Sequence, residues 1–383
     1  MAAVLAVVLV LTVALAGCGR FPAQNQPADG VTGDHTGGGV GGAFSVDFRN
    51  TPSVYMADAT VGWAVTRTSV LRTEDGGARW VEVTPNAETG FSLAASALLG
   101  PARGWVAMSR EGSGTLAIFR TTDGGKSWSG TEVELSNPQC APCGASFDFV
   151  DSDHGWLLVH DGVATGHEAV EIYRTGDGGA SWTLAARTET DGQNPDGLPF
   201  AGIKTGLSFA DTQNGWLTGF DYGPELWLYA THDAGRTWQR CSLPIPQGYT
   251  AEGGSAETRP AIFFGSREGI LPVVFHARGQ HTIFYVTRDG GATWKPTTPI
   301  KSAINQEFVW SFPDSKHGFA TDGDSLYVTS DGAATWAAVT PDARLAGTTC
   351  LYFISPQVGW AVASGTLFRT SDGGHTWVKV GCP

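Results

Sequence analysis

The residues with the types and spacing to do chemistry form a scattered set. Arg110 and Glu111 come first, followed by His160, Asp161 and His167, then Asp221 and Tyr222, then His276, Arg278 and His281. Glu189, Asp191, Asp196, Glu252, Glu257 and Arg259 stand between those groups. Imidazoles meeting in threes would hold zinc. His276 and His281 are five positions apart, however, which is no recognised metal spacing, and a third imidazole would have to come from His160 or His167. Two carboxylates at a fixed separation would cleave glycosides, but no pair nominates itself. Cys140-Ala141-Pro142-Cys143 has the spacing of a redox couple. No helical pattern follows it to lower a thiol pKa, so a local structural disulfide or inert thiols are expected. The expectation is therefore no catalytic residue, no metal and no cofactor. Either Arg110, His160, His167, Tyr222, His276, Arg278 and His281 gather into a ligand-binding surface, or they are solvated loop residues with no common target.

What must position them is a repeat. Thr370 to Trp377 reads Thr-x-Asp-x-Gly-x-x-Trp, and six copies precede it, beginning at Thr73, Thr121, Thr175, Thr231, Thr287 and Thr329. Their aspartates are Asp75, Asp123, Asp177, Asp233, Asp289, Asp331 and Asp372. Their tryptophans are Trp80, Trp128, Trp182, Trp238, Trp294, Trp336 and Trp377. An aspartate and a glycine so spaced suit a tight turn between strands, the carboxylate accepting turn amides and the glycine taking positive φ. The indole then has a large ring to bury. Only the sixth copy departs, with Ala333 in the glycine place. Upstream of each copy stands Gly-Trp, at Trp63, Trp105, Trp156, Trp216 and Trp360, or the weaker Gly269-Ile270 and Gly318-Phe319.

Each unit parses as four short strands, A to D, with the repeated turn between C and D. Units this small bury their faces only against one another, so seven of them predict an all-β, seven-bladed β-propeller of four-stranded antiparallel blades. An alternating segment at Phe44, Val46 and Phe48 is expected to pair with the last blade and help close the ring. In such a meander the A–B and C–D turns share one face, and the B–C and D–A connections share the other. Trp63 to Asp75, Phe319 to Asp331 and Trp360 to Asp372 each span 12 residues, whereas Trp156 to Asp177 spans 21. Blades 2 to 5 carry these insertions, and the longest D–A connections follow blades 2, 3 and 4. Variable loops on a rigid frame are where binding residues concentrate, and the candidate residues sit on them.

The chain has 383 residues and a formal charge of −13, which argues against nucleic acid or an anionic lipid surface as partner. Val4 to Ala16 is apolar, too short to span a bilayer, and reads as the core of a signal peptide over 1–17. The absence of Lys or Arg ahead of it suggests a start codon further upstream. Leu15-Ala16-Gly17-Cys18 looks like a bacterial lipoprotein processing box, making Cys18 the lipidated residue. Residues 18–43, Gly-rich with little to bury, read as a tether reaching roughly 25–30 Å. The propeller is expected over 44–383, anchored outside the cytoplasm. Cys140, Cys143, Cys241, Cys350 and Cys382 then lie in an oxidising compartment, and five is an odd number, so at least one is free or paired between chains.

The repeat resembles the Asp box, or bacterial neuraminidase repeat. Sialidases with that motif carry a Phe/Tyr-Arg-Ile-Pro segment, an arginine triad and a tyrosine–glutamate pair. Here the nearest segment, Phe48-Arg49-Asn50-Thr51-Pro52, breaks the pattern, and Tyr173, Tyr229, Tyr285 and Tyr327 all share one strand C position. A glycan-active hydrolase or a glycan-binding propeller is thus the alternative reading. The chain is more similar to the photosystem II stability and assembly factor family, on Phe149-x-Asp151-x-x-x-Gly155-Trp156 followed by Tyr173-Arg174-Thr175-x-Asp177-Gly178-Gly179-x-x-Trp182. That resemblance spans about residues 44 to 381. It implies an exported, non-catalytic seven-bladed scaffold that binds another protein, which in photosynthetic organisms is a newly made reaction-centre subunit. The family's photosynthetic members carry an arginine-rich patch. Here the strand C arginine is kept at Arg72, Arg120, Arg174 and Arg369.

Overall fold

The computed structural model describes Phe48 and residues 53–86, 91–110, 112–137, 144–189, 195–277 and 279–381. Cys18, Phe44, Val46, Glu111, Cys140, Cys143, Asp191, Arg278 and Cys382 fall outside them. Seven antiparallel sheets follow one another, each paired in sequence order. Blade 3 shows the plan, with strand A at Ala145–Phe149, B at Gly155–Ala164, C at His167–Thr175 and D at Thr183–Arg187. The A strands of blades 2 and 3, 3 and 4, 6 and 7, and 7 and 1 touch, which sets the A strands innermost and the D strands on the rim. Strand B of blade 1, Gly62–Val65, is buried throughout because neighbouring blades cover both its faces, while strand D, Val81–Glu82, is exposed. A strand covered twice has no reason to alternate. Blade 5 departs by splitting its A strand into Ala256–Thr258 and Ile262–Phe264, both paired with Glu268–Phe275.

The ring closes between blades 7 and 1. Trp360 Nε1 donates to the Gly76 carbonyl at 3.0 Å, and the Cys350 thiol to the Val54 carbonyl at 3.7 Å. Blade 7 is a complete four-stranded sheet from Thr348 to Lys379. Phe48, expected in a strand, instead plugs this seam, its ring 6.0 Å from Trp80 in one core cluster with Trp360 and Leu367. The rest of that expected strand lies outside the described residues.

Aromatic stacking binds blade to blade. The strand B aromatic lies on the strand A phenylalanine of the next blade: Trp105 on Phe149 at 3.7 Å, Trp156 on Phe209 at 3.5 Å, Phe319 on Phe353 at 3.5 Å. The corner tryptophan of that next blade meets the same phenylalanine edge-on, as Trp182, Trp238 and Trp377 do. The edge contacts suit the aromatic quadrupoles, while the face-to-face stacks hold the blades together by burying both rings. Trp105 and Trp156 also donate their N–H to carbonyls in the next blade's corner, Gly178 at 2.8 Å and Ala234 at 3.0 Å.

This seam accounts for two irregularities of the sequence. Arg72, Arg120, Arg174 and Arg369 stand directly opposite Trp63, Trp105, Trp156 and Trp360 in the B–C register. The guanidinium groups of Arg72 and Arg369 lie over those rings at 4.9 and 5.3 Å. Opposite Ile270 and Phe319 the partners are Val286 and Val328. Blade 4 alone pairs its indole, Trp216, with an alanine, Ala230. The second irregularity is Ala333. A Cβ on Gly291 would lie 2.1 Å from Trp216, and one on Gly179 2.9 Å from Trp105. Ala333 instead joins the core cluster of Ile270, where the smaller side chain leaves room for a methyl.

At each corner the threonine and aspartate lock the turn. In blade 3 Thr175 Oγ1 donates to Asp177 Oδ1 at 2.8 Å and accepts from Gly179 N at 2.9 Å. Asp177 Oδ1 also accepts from Ser181 N at 2.9 Å, and Oδ2 from the Ser181 hydroxyl at 2.6 Å. Donors crowding a carboxylate favour its charged form. Asp177, Asp289 and Asp372 are held down at about 2, first by the hydroxyls of Ser181, Thr293 and Thr376. The unfolded chain takes these protons at an ordinary 3.8, so the stability they contribute is full above that pH and drains away as pH falls toward about 2. Urea unfolding is expected to show a lower midpoint at pH 3 than at pH 6. Asp372→Asn, which keeps the shape without titrating, narrows the difference.

Candidate functional site

The face opposite the corners is built by the B–C hairpins and the D–A connections. In blade 3 the hairpin turns at Thr165 and Gly166, with φ of 49° and 78°, the left-handed pair that a two-residue turn needs. A bulge between His160 and Gly162 sets Asp161 apart from the ladder. In blade 4 strand B, Gly215–Phe220, leads into the loop of Asp221 and Tyr222. In blade 5 strands Glu268–Phe275 and His281–Thr287 flank His276.

The candidate residues make their contacts in several groups. His160 Nδ1 lies 2.9 Å from Glu168 Oε1, and Glu168 Oε2 accepts the Lys204 amide at 2.5 Å. The Lys204 ammonium faces the carbonyls of Glu168, Phe200 and Gly202 at 2.8, 3.1 and 3.0 Å, and lies 5.6 Å from the Trp227 ring centre. Burial pushes its amine down to about 7, against the opposing pull of Glu168. The group staples the connection after blade 3 to both adjoining blades. His167 is turned outward, its Nδ1 on the Thr165 carbonyl and its ring 5.2 Å from Phe200.

Beside it, Glu171 is buried and takes the Tyr173 hydroxyl at 2.7 Å and the Ser136 amide at 3.0 Å. Burial and then Glu171 push the Tyr173 phenol up. Burial, with Glu171 adding to it, raises the Asp161 carboxyl. In blade 5 Arg259 bridges two carboxylates, Glu257 and, at 2.7 Å, Glu307. Burial raises Glu257. His276 contacts Gln280 at 3.0 Å and approaches Glu257 at 3.8 Å, while His281 packs against Tyr249 with centroids 5.5 Å apart. Arg110 lies over Phe91 at 5.1 Å. Glu189 pairs with Arg187 at 2.9 Å, and the Asp196 carbonyl accepts the Trp238 amide at 2.7 Å. Among the described residues no three His, Cys, Asp or Glu side chains gather as metal ligands.

Tyr222 differs from all of these. Its ring is 67% exposed, while the two residues before the loop's end, Leu226 and Trp227, are buried. Lys204, Glu168 and Glu171 were not picked out among the candidates from the sequence. The available signal was a charge in strand A or C where neighbouring blades supply apolar residues. Lys204 is the one lysine or arginine in the described A strands.

No family model and no curated protein matches the chain. Solved structures do. YCF48 bound to D1 peptide is 18% identical with a TM-score of 0.54, covering 83% of this chain and 91% of that one. YCF48 from Cyanidioschyzon merolae is 18% identical with a TM-score of 0.50, covering 83% and 92%. An uncharacterized protein from Listeria monocytogenes EGD-e is 7% identical with a TM-score of 0.51, covering 88% and 95%. At these identities the likeness is one of fold, and the chain is a seven-bladed propeller of the kind seen in YCF48, the photosystem II assembly factor.

Proposed function

We propose that this protein is a non-catalytic binding and assembly scaffold, held outside the cytoplasm on lipidated Cys18, that presents the face opposite the corners to a protein partner. The observation that carries the reading is the division of labour between the two faces. The corners repeat with little change, while the inserted loops of blades 3 to 5 are braced from beneath by Lys204–Glu168 and Arg259–Glu257–Glu307 and hold Tyr222 outward. The buried ionisable groups beneath that face, Lys204 with Glu168, Glu171 with Tyr173 and Arg259 with Glu257, are spent on one another, which suits a platform more than a reaction. A propeller of the same fold solved with a bound peptide supports a protein ligand. A glycan is the alternative, since an exposed ring also stacks on a sugar.

The test is affinity capture of the full-length chain from its native membrane, with a glycan array in parallel. The wild type is expected to retain a partner protein. Shortening the blade 3 hairpin to the length of blade 6 is expected to release it from a chain that still folds but melts lower, because buried Lys204 loses Glu168, whereas Lys126→Ala on the corner face is expected to change neither. Capture indifferent to the hairpin, or glycoside turnover abolished by one carboxylate substitution, contradicts the reading. Cys18→Ser is expected to move the chain into the soluble fraction.

A further inference from the structure

Tyr222 is the one large aromatic ring among the strongly exposed apolar side chains of the described residues. Exposure alone says little, because single surface hydrophobics are common. What sets this ring apart is how it is fixed. A Cβ on Gly166, at the tip of the blade 3 hairpin, would lie 2.9 Å from Tyr222 Cε2. A Cβ on Gly254, in the connection after blade 4, would lie 3.3 Å from Cε1. The two glycines therefore grip opposite edges of the ring, and both sit at positive φ, 78° and 73°. The backbone is tied as well. The Tyr222 carbonyl accepts the Gly253 amide at 3.2 Å, and Asp221 Oδ1 accepts the Gly223 amide at 2.8 Å. Three separate elements hold the ring by its edges and leave it open to solvent. A ring already immobilised loses little entropy on binding, which is the property of an interface anchor.

The charge around it selects the ligand. Asp221 and Glu225 belong to the loop itself, where they share Arg240 at 3.7 and 3.4 Å, and Glu252 precedes Gly253, whose amide reaches the Tyr222 carbonyl. Glu225 and Glu252 are exposed, and the whole chain carries −13. An open aromatic face with carboxylates at its border attracts a cation twice, through the ring quadrupole and through the ion pair. Val163, on the same hairpin three residues before Gly166, is also 63% exposed. We infer that Tyr222 anchors a basic segment of the partner protein, an arginine or lysine side chain lying on its ring and facing Glu225 and Glu252.

This inference rests on the scaffold reading and deepens it. It is tested with the full-length chain and three labelled ten-residue peptides, one alternating arginine with leucine, one alternating glutamate with leucine, and one neutral. The basic peptide is expected to bind at least tenfold more tightly than the others, and to weaken as salt is raised. Tyr222→Ala is expected to weaken it about tenfold, while Tyr222→Phe, which keeps the ring, stays within about twofold. Glu225→Gln with Glu252→Gln should flatten the salt dependence. No binding of the basic peptide, equal binding of all three, or an affinity indifferent to Tyr222→Ala overturns the inference. A partner captured from the membrane that still binds Tyr222→Ala would overturn it while leaving the scaffold reading in place. Loss of glycan binding in that variant, with no protein captured, would remove both.

Discussion

Replacing Trp156 with alanine is expected to cost about 3–5 kcal/mol in urea unfolding, the range for deleting a large buried aromatic. The ring is 2% exposed and lies on Phe209 at 3.5 Å with 6° between planes, in one cluster with residues of blades 3 and 4. Its N–H satisfies the Ala234 carbonyl at 3.0 Å, so the deletion also leaves a buried acceptor unpaired. Alanine at Trp336, a half-buried corner indole whose N–H has no partner, is expected to cost roughly half as much. Both rings lie in a seam between blades, so equal losses at the two sites would show that the deeper burial and the indole hydrogen bond of Trp156 add nothing.

Gly291→Ala is expected to cost about 3 kcal/mol, from overpacking and positive φ together. The added methyl would fall 2.1 Å from Trp216, and φ is 82°. Gly265→Ala separates the two contributions. It has a similar φ of 78° with nothing within 4 Å of the new Cβ, and should cost only about 1 kcal/mol. Ala333 shows that an alanine is tolerated at such a corner where Ile270 replaces the facing indole. Similar losses at Gly265 and Gly291 would mean that backbone strain, rather than the tryptophan, makes the corner demand glycine.

The ring of seven was legible because the corner aspartate, the glycine and the two tryptophans recur at nearly fixed spacing, and each blade has the same burial problem to solve. The uneven distribution of Arg72, Arg120, Arg174 and Arg369 was not legible, since it depends on cross-strand register with an indole. The same holds for Ala333, whose explanation lies in the preceding blade. On the inserted face, loop length pointed to the right surface but not to the contacts within it. His160, Glu168 and Lys204 meet across 8 and 36 residues of chain, and such distances leave no local pattern. Tyr222 could be singled out because it lies outside the strand C position shared by Tyr173, Tyr229, Tyr285 and Tyr327. Its grip between Gly166 and Gly254 emerged only from the packing of three elements.

The most direct test of a constant corner face and a binding loop face is hydrogen exchange on the full-length chain, free and with its captured partner. Protection is expected over residues 161–167, 221–226 and 250–255, with the seven corners unchanged. Protection confined to the corners, with those loops exchanging as before, would contradict it.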